Sequence, residues 1–127
     1  IAQLKTTVSQ LRKVSKGEGI GYSTKERITD DKRIGIIAIG YADGIPRLLG
    51  NGKGHVIIKG KKAPFIGNIC MDMSMIDVSD IECVEGDEVE IFGKQNSIYK
   101  LATAAETIPY EILTNVSNRV KRVFFKE

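Results

Sequence analysis

The side chains able to do chemistry in this 127-residue sequence are few, and their types narrow the possibilities. It has one histidine, His55, and two cysteines, Cys70 and Cys83. Such a set excludes a multi-histidine metal centre and a four-cysteine zinc site, so no metal is expected. It also excludes a disulfide-stapled mini-domain, and free thiols in a reducing compartment are the simplest reading. Free cysteine is usually a small buried hydrophobe, which is the role expected of Cys70. His55 reads as a strand surface residue. The four tyrosines, Tyr22, Tyr41, Tyr99 and Tyr110, are more informative. A phenol donates a hydrogen bond when neutral and accepts a proton when ionised. Tyr22 and Tyr41 each follow a glycine in a loop, whereas Tyr99 falls on a predicted helix; a packed aromatic with its hydroxyl at the rim is the alternative for each.

Two charged stretches invite a ligand-binding reading. Gly50-Asn51-Gly52-Lys53-Gly54 has the composition of a phosphate loop. It lacks the Gly-x-x-x-x-Gly-Lys-Ser/Thr spacing and opens no helix, so a flexible surface turn is expected. Lys59, Lys61 and Lys62 read as a solvated hairpin tip, since a nucleic-acid patch would interleave aromatics and only Phe65 is near. A net charge of +3 spread along the chain does not call for nucleic acid. No apolar run approaches the roughly 18 residues of a membrane span, and no secretory signal opens the sequence.

The elements that must position these residues are mostly strands. Hydrophobic residues at 42% and charged residues at 28% describe an ordinary folded protein, and the length suits one domain, residues 1–127. The 13 glycines punctuate β-branched runs, the pattern of a β-barrel or sandwich. Residues 1–14 fit both helical spacing (Leu4, Val8, Leu11, Val14) and alternation, with Thr6-Thr7-Val8 favouring a strand. Further strands are predicted at residues 33–39, at 55–59 and 62–66 around a Gly60-Lys61 turn, at 73–78, and at 88–92. Ser97 can cap a helix over residues 99–106, and Pro109 separates it from a second helix at 110–115. Alternation over residues 116–125 predicts a closing strand. The fold class is therefore mainly β, a compact barrel-like domain with a small helical insert near residues 98–115.

Two motifs then carry a resemblance. Gly40-Tyr41-Ala42-Asp43-Gly44-Ile45-Pro46-Arg47 and Gly67-Asn68-Ile69-Cys70-Met71-Asp72-Met73 resemble the C-terminal domain of alanine racemases. Leu4-Lys5-Thr6, Gly17-Glu18, Gly21-Tyr22, Ile108-Pro109-Tyr110-Glu111 and Asn118-Arg119-Val120-Lys121-Arg122-Val123 agree in order, so the resemblance covers nearly the whole sequence. It implies an N-terminal (β/α)8 barrel carrying pyridoxal phosphate on a lysine, and a head-to-tail homodimer. In it the C-terminal domain of one subunit completes the other's active site. No barrel is visible here, so the sequence looks like one domain of a longer cytoplasmic bacterial enzyme and should be inactive alone.

Residue by residue, Tyr22 matches the family's catalytic base, the partner of the barrel lysine in two-base proton transfer between L- and D-alanine, a step toward peptidoglycan. Met71 and Asp72 match the dipeptide lining the substrate site, where the Met71 N–H would bind the substrate carboxylate. Tyr41 matches a second tyrosine at the substrate entrance, and Arg47 and Ile108 match entrance-corridor positions. Tyr110 matches a tyrosine that reaches the cofactor phosphate in the site of its own barrel. Asn68 stands where many relatives have an arginine, which removes a corridor charge, and Ser23 follows Tyr22 where many have glycine. A same-fold racemase of serine or of broader range, and a non-enzymatic β-barrel binding module for acidic polymers, are the alternatives.

Overall fold

The fold follows from one long strand that belongs to both halves of a curled sheet. In the computed structural model, which describes residues 2–15, 17, 19, 20, 26, 27 and 31–122, strand β1 (Leu4–Val14) pairs with two partners in succession. Leu4 to Thr7 pair antiparallel with β8 (Glu88–Phe92), and Val8 to Val14 with β4 (Lys32–Ile37). A bulge at Ser9 falls just inside the β4 ladder, between the Val8–Ile37 and Gln10–Ile36 pairs, and the Ser9 hydroxyl donates to the Ile36 carbonyl at 3.0 Å. An extra residue bends a strand and shifts its side-chain parity, which is what a barrel corner needs.

The remaining strands are β5 (His55–Ile58), β6 (Lys61–Pro64) and β7 (Ser74–Asp77), giving a six-stranded order of β6-β5-β8-β1-β4-β7. The two outer strands meet: Phe65 bridges Ile76, and the Ile66 N–H donates to the Met75 carbonyl at 2.9 Å. The sheet is thereby nearly closed into a barrel, which removes the open edges that invite aggregation. A short separate ladder joins β2 (Gly19–Ile20) to β3 (Glu26–Arg27). Lys59 and Gly60, at φ 52° and 75°, form the β5–β6 turn, one residue earlier than the sequence suggests. Such a left-handed pair matches the twist of its strands.

Inside the barrel, Val8, Ile37, Val56, Ile58, Phe65, Ile76, Val89 and Ile91 are almost wholly buried. Helices α1 (Ile98–Ala104) and α2 (Pro109–Thr114) add Leu101, Ala102 and Ile112 to that cluster. The Ser97 hydroxyl accepts the Tyr99 N–H as the expected cap of α1, and Pro109 opens α2, where its missing N–H costs nothing. No described helix is long and apolar enough to cross a membrane.

Two expectations are corrected. The predicted strand at 116–125 is absent over its described part, 116–122, which is turns and irregular chain. The barrel has already closed through Phe65 and Ile76, and the Ser117 N–H donates instead to the Asp43 carbonyl at 3.0 Å. The glycine-rich turn at 50–54 is a tightly bonded one, since its N–H groups donate to the carbonyls of Arg47, Gly67, Phe65, Gly50 and Leu49. None of them is left to cradle a phosphate.

Glu90 is buried in the strand between Val89 and Ile91, because its carboxylate accepts the N–H groups of Gln95 and Asn96, both at 2.7 Å. The Asn96 amide in turn donates to the carbonyls of His55 and Ile91, fixing the turn that launches α1. Replacing Glu90 with Ala orphans two N–H groups in a dry setting, so we expect a loss of about 2–4 kcal/mol, checked by urea unfolding.

Candidate active site

Two loops built from the recognisable motifs lock together through their main chains. The first follows β4 and contains a 3-10 turn, Tyr41–Asp43, then a second, Arg47–Leu49. The second loop precedes β7 and contains Cys70, Met71 and Asp72. The Tyr41 N–H donates to the Cys70 carbonyl at 2.9 Å, and the Ala42 N–H to the Met71 carbonyl at 3.0 Å. Gly40 permits the approach: a Cβ there would stand 2.1 Å from the Cys70 oxygen and 2.5 Å from the Met71 oxygen. The Cys70 N–H closes back on the Met73 carbonyl at 3.0 Å, and the buried Ser74 hydroxyl donates to the Ile39 carbonyl at 2.7 Å.

This pairing determines where the Met71 amide points. In a planar trans peptide the C=O and N–H lie on opposite sides. With the carbonyls of Cys70 and Met71 both aimed at the 3-10 turn, the N–H groups of Met71 and Asp72 face away from it, side by side. Among the described residues, nothing accepts either one. Two neighbouring N–H groups aimed the same way are a ready site for an anion.

Charge is organised around the same junction. The Asp43 carboxylate, largely buried, accepts the Gly40 N–H through Oδ2 at 2.9 Å. Its Oδ1 lies 3.4 Å from Arg119 Nε, while Arg119 Nη2 donates to Asp72 Oδ1 at 2.8 Å. The guanidinium is held protonated even more firmly than usual, first by the Asp72 hydrogen bond and then by the Asp43 charge. The Arg47 guanidinium sits over the Tyr41 ring, 5.4 Å from its centroid, a cation–π geometry. Helix α2 is tied in at its far end: Gly44, at φ 112°, leaves no room for a side chain because a Cβ would meet the Asn115 oxygen at 2.4 Å.

The structure thus brings together Tyr41, Arg47, Met71 and Asp72 of the sequence-derived set. Ile108 and Tyr110 stand at the opening of α2, away from the hydrogen-bonded junction, and both are exposed. Tyr22 lies outside the described residues. Asn68 accepts a hydrogen bond from the Asn51 amide at 2.9 Å. Arg119 was given no role by the sequence reading, because a strand assignment over 116–125 put it on a sheet face. The signal was an arginine-bearing closing motif, with aspartates for it to serve in each of the two earlier motifs.

The other readings find little. Both cysteines are buried and free. His55 opens β5 and is half-buried, and burial lowers its pKa below the usual value, with Lys62 and Lys100 adding to this and an Asn96 hydrogen bond opposing it. It lines a cavity of about 440 Å³ with Lys53, Asn96, Tyr99 and Lys100, sharing no residue with the junction above. At the hairpin tip, Lys61 and Lys62 are exposed and Lys59 faces Asp87 at 3.6 Å.

Comparison with known proteins decides the family. Residues 1–124 match the family model described as alanine racemase, C-terminal domain. This chain belongs to that family. It is 41% identical over 128 residues to the alanine racemase of Helicobacter pylori strain J99, covering 98% of this chain and 34% of that protein. The biosynthetic alanine racemase of Pseudomonas aeruginosa superposes with a TM-score of 0.93 at 37% identity, over 98% of this chain and 35% of that one. The Bartonella henselae alanine racemase, solved with covalently bound pyridoxal phosphate, gives 0.92 at 36% identity, over 97% of this chain and 34% of that one. The family domain thus spans about a third of the length of the relatives it matches.

Gly40→Ala tests the junction. The intruding methyl meets main-chain oxygens that cannot swing aside, so we expect a loss of about 2–3 kcal/mol in chemical denaturation. Amide exchange at Tyr41 and Ala42 should quicken as their bonds to the 70–71 carbonyls open.

Proposed function

We propose that this domain closes the active site of a pyridoxal-phosphate-dependent racemase that interconverts L-alanine and D-alanine in the bacterial cytoplasm. The observation that carries the reading is the outward-facing Met71 N–H, held by the paired carbonyls of Cys70 and Met71. A donor fixed in advance binds a carboxylate without reorganising when the reaction begins. Membership of the alanine racemase C-terminal family supplies the substrate class.

Each residue then has a task. The Met71 N–H orients the alanine carboxylate, which sets the α-carbon between two bases. Tyr22, as phenolate, takes the α-proton from the L-enantiomer at its phenol oxygen and returns one in the reverse direction. A lysine of a barrel domain serves the opposite face. A free phenol has a pKa near about 10, so Tyr22 needs positive charge or donors nearby to act as a base. Tyr41, steadied beneath the Arg47 guanidinium, and Ile108 line the approach.

Pyridoxal phosphate, when bound, supplies the electron sink that makes an α-proton acidic. The described residues fit a cofactor held mostly elsewhere. The exposed Tyr110 phenol is the neutral donor proposed for its phosphate, and the N–H groups of the glycine-rich turn are already committed to main-chain carbonyls. Exposure also supports partners. Tyr41, Leu48, Met71, Ile108, Tyr110 and Leu113 all stay in solvent on the two loops and α2, and large apolar side chains gathered this way call for a covering surface. We assign that cover to a barrel domain and to a second subunit of a homodimer, whose site receives Tyr22 and Met71.

Two substitutions in the complete gene product test this reading. Tyr22→Phe should slow racemisation of L-alanine by at least about 100-fold, the contribution typical of a positioned base. A D-alanine oxidase assay reads this, and near-normal turnover would remove Tyr22 as the base. Tyr110→Phe should weaken cofactor retention by about tenfold, the cost of one hydrogen bond to a charged group. Dialysis followed by absorbance of the retained cofactor measures it.

A further inference from the structure

We infer that Arg119 is a positioning residue for the substrate carboxylate, holding and neutralising Asp72 so that the adjacent Met71 N–H can receive an anion. This rests on the racemase reading above.

The argument starts from an electrostatic conflict. Asp72 directly follows the residue whose N–H binds the carboxylate, and its own N–H is the second of the outward-facing pair. A bare carboxylate so near an anion site repels the ligand, by roughly tenfold in affinity for charges about 6 Å apart at an effective dielectric constant of about 40, as suits an exposed side chain. Arg119 removes the conflict, since Nη2 takes Asp72 Oδ1 at 2.8 Å.

The guanidinium does not arrive there by chance. Asp43 Oδ1 draws Nε from the other side at 3.4 Å, and Asp43 is itself immobilised by the Gly40 N–H. The main chain leading to Arg119 is tied to the same aspartate, with the Ser117 N–H on the Asp43 carbonyl at 3.0 Å. The Arg119 N–H folds back on the Ser117 hydroxyl at 3.1 Å. One arginine therefore pins the tip of the second loop to the base of the first. Arg119 and Asp72 are both more than half exposed at the side chain, so their ion pair contributes little to folding. The stabilising part of the brace is the contact with the largely buried Asp43. The effect of the Arg119–Asp72 pair is on the field at the Met71 amide.

The test uses the complete holoenzyme and three variants: Arg119→Ala, Arg119→Gln and the double variant Arg119→Ala/Asp72→Asn. Readouts are kcat and KM for L-alanine, calorimetric Kd for propionate (a carboxylate without the amino group), and thermal midpoint. Removing the arginine should raise KM and the propionate Kd on the order of tenfold, with kcat little changed. The midpoint should fall equally in the Arg119→Ala and double variants, because the largely buried Asp43 loses its partner in both. The double variant should recover most of the loss, because the repelling charge is gone as well. Added salt should shrink the defect of the single variants. Unchanged KM and Kd, or a binding defect that the double variant retains in full, would overturn the inference in favour of a merely structural arginine. Wild-type protein that leaves L-alanine unconverted would overturn the racemase reading. The propionate series then decides the role of Arg119 by the same pattern of loss and recovery.

Discussion

Two adjacent carbonyls, those of Cys70 and Met71, are committed to the N–H groups of Tyr41 and Ala42, and most of the functional face depends on that commitment. Peptide planarity turns a packing contact between loops into a directional property of the Met71 amide. Side-chain identity matters little at this step, which is why a methionine can occupy the position. What matters is the absence of a side chain at Gly40, where the loops meet closest.

The barrel exists to hold these loops steady. The first loop leaves the end of β4 and the second enters β7, and those strands are neighbours paired through Ile34 to Ile37. Their loops therefore begin from one wall of the barrel. The buried Ser74 hydroxyl on the Ile39 carbonyl ties that wall just beneath the junction. Asp43 and Arg119 add a polar brace on the outer side, reaching into the segment after α2. Neighbouring strands and cross-bonded loops together hold the main-chain groups of the junction in fixed directions.

Much of this was legible in the residues, and what was not has physical causes. The short strands, the capped helix and the proline-started one follow from local propensity and turn chemistry. The double reading of residues 1–14 has a structural origin. Leu4, Val8 and Leu11 join the barrel core, with the Ser9 bulge shifting parity between Val8 and Leu11, while Val14 turns outward to pack with Ile34 and Ile66. A strand that bulges and changes faces mimics helical spacing. Residues 116–122 misled because alternation reports a possible face but not whether a sheet edge is free to accept it. The site residues in the two loop motifs came from the resemblance, and their mutual contacts did not. Nothing in the spacing of Gly40, Cys70 and Arg119 announces that they meet, since long-range approach is decided by topology.

The placement of β1 has a kinetic side. Lys5 pairs with Glu90, about 85 residues further along, yet β1 is a central strand flanked on both sides. Bringing such distant segments together demands loop-closure entropy before the contacts that reward it form, so high contact order sets a slow pace of assembly. As the polypeptide leaves the ribosome, β1 must wait for β8 to emerge, and a chaperone or neighbouring domain that shelters β1 in the interval would govern the yield of native protein.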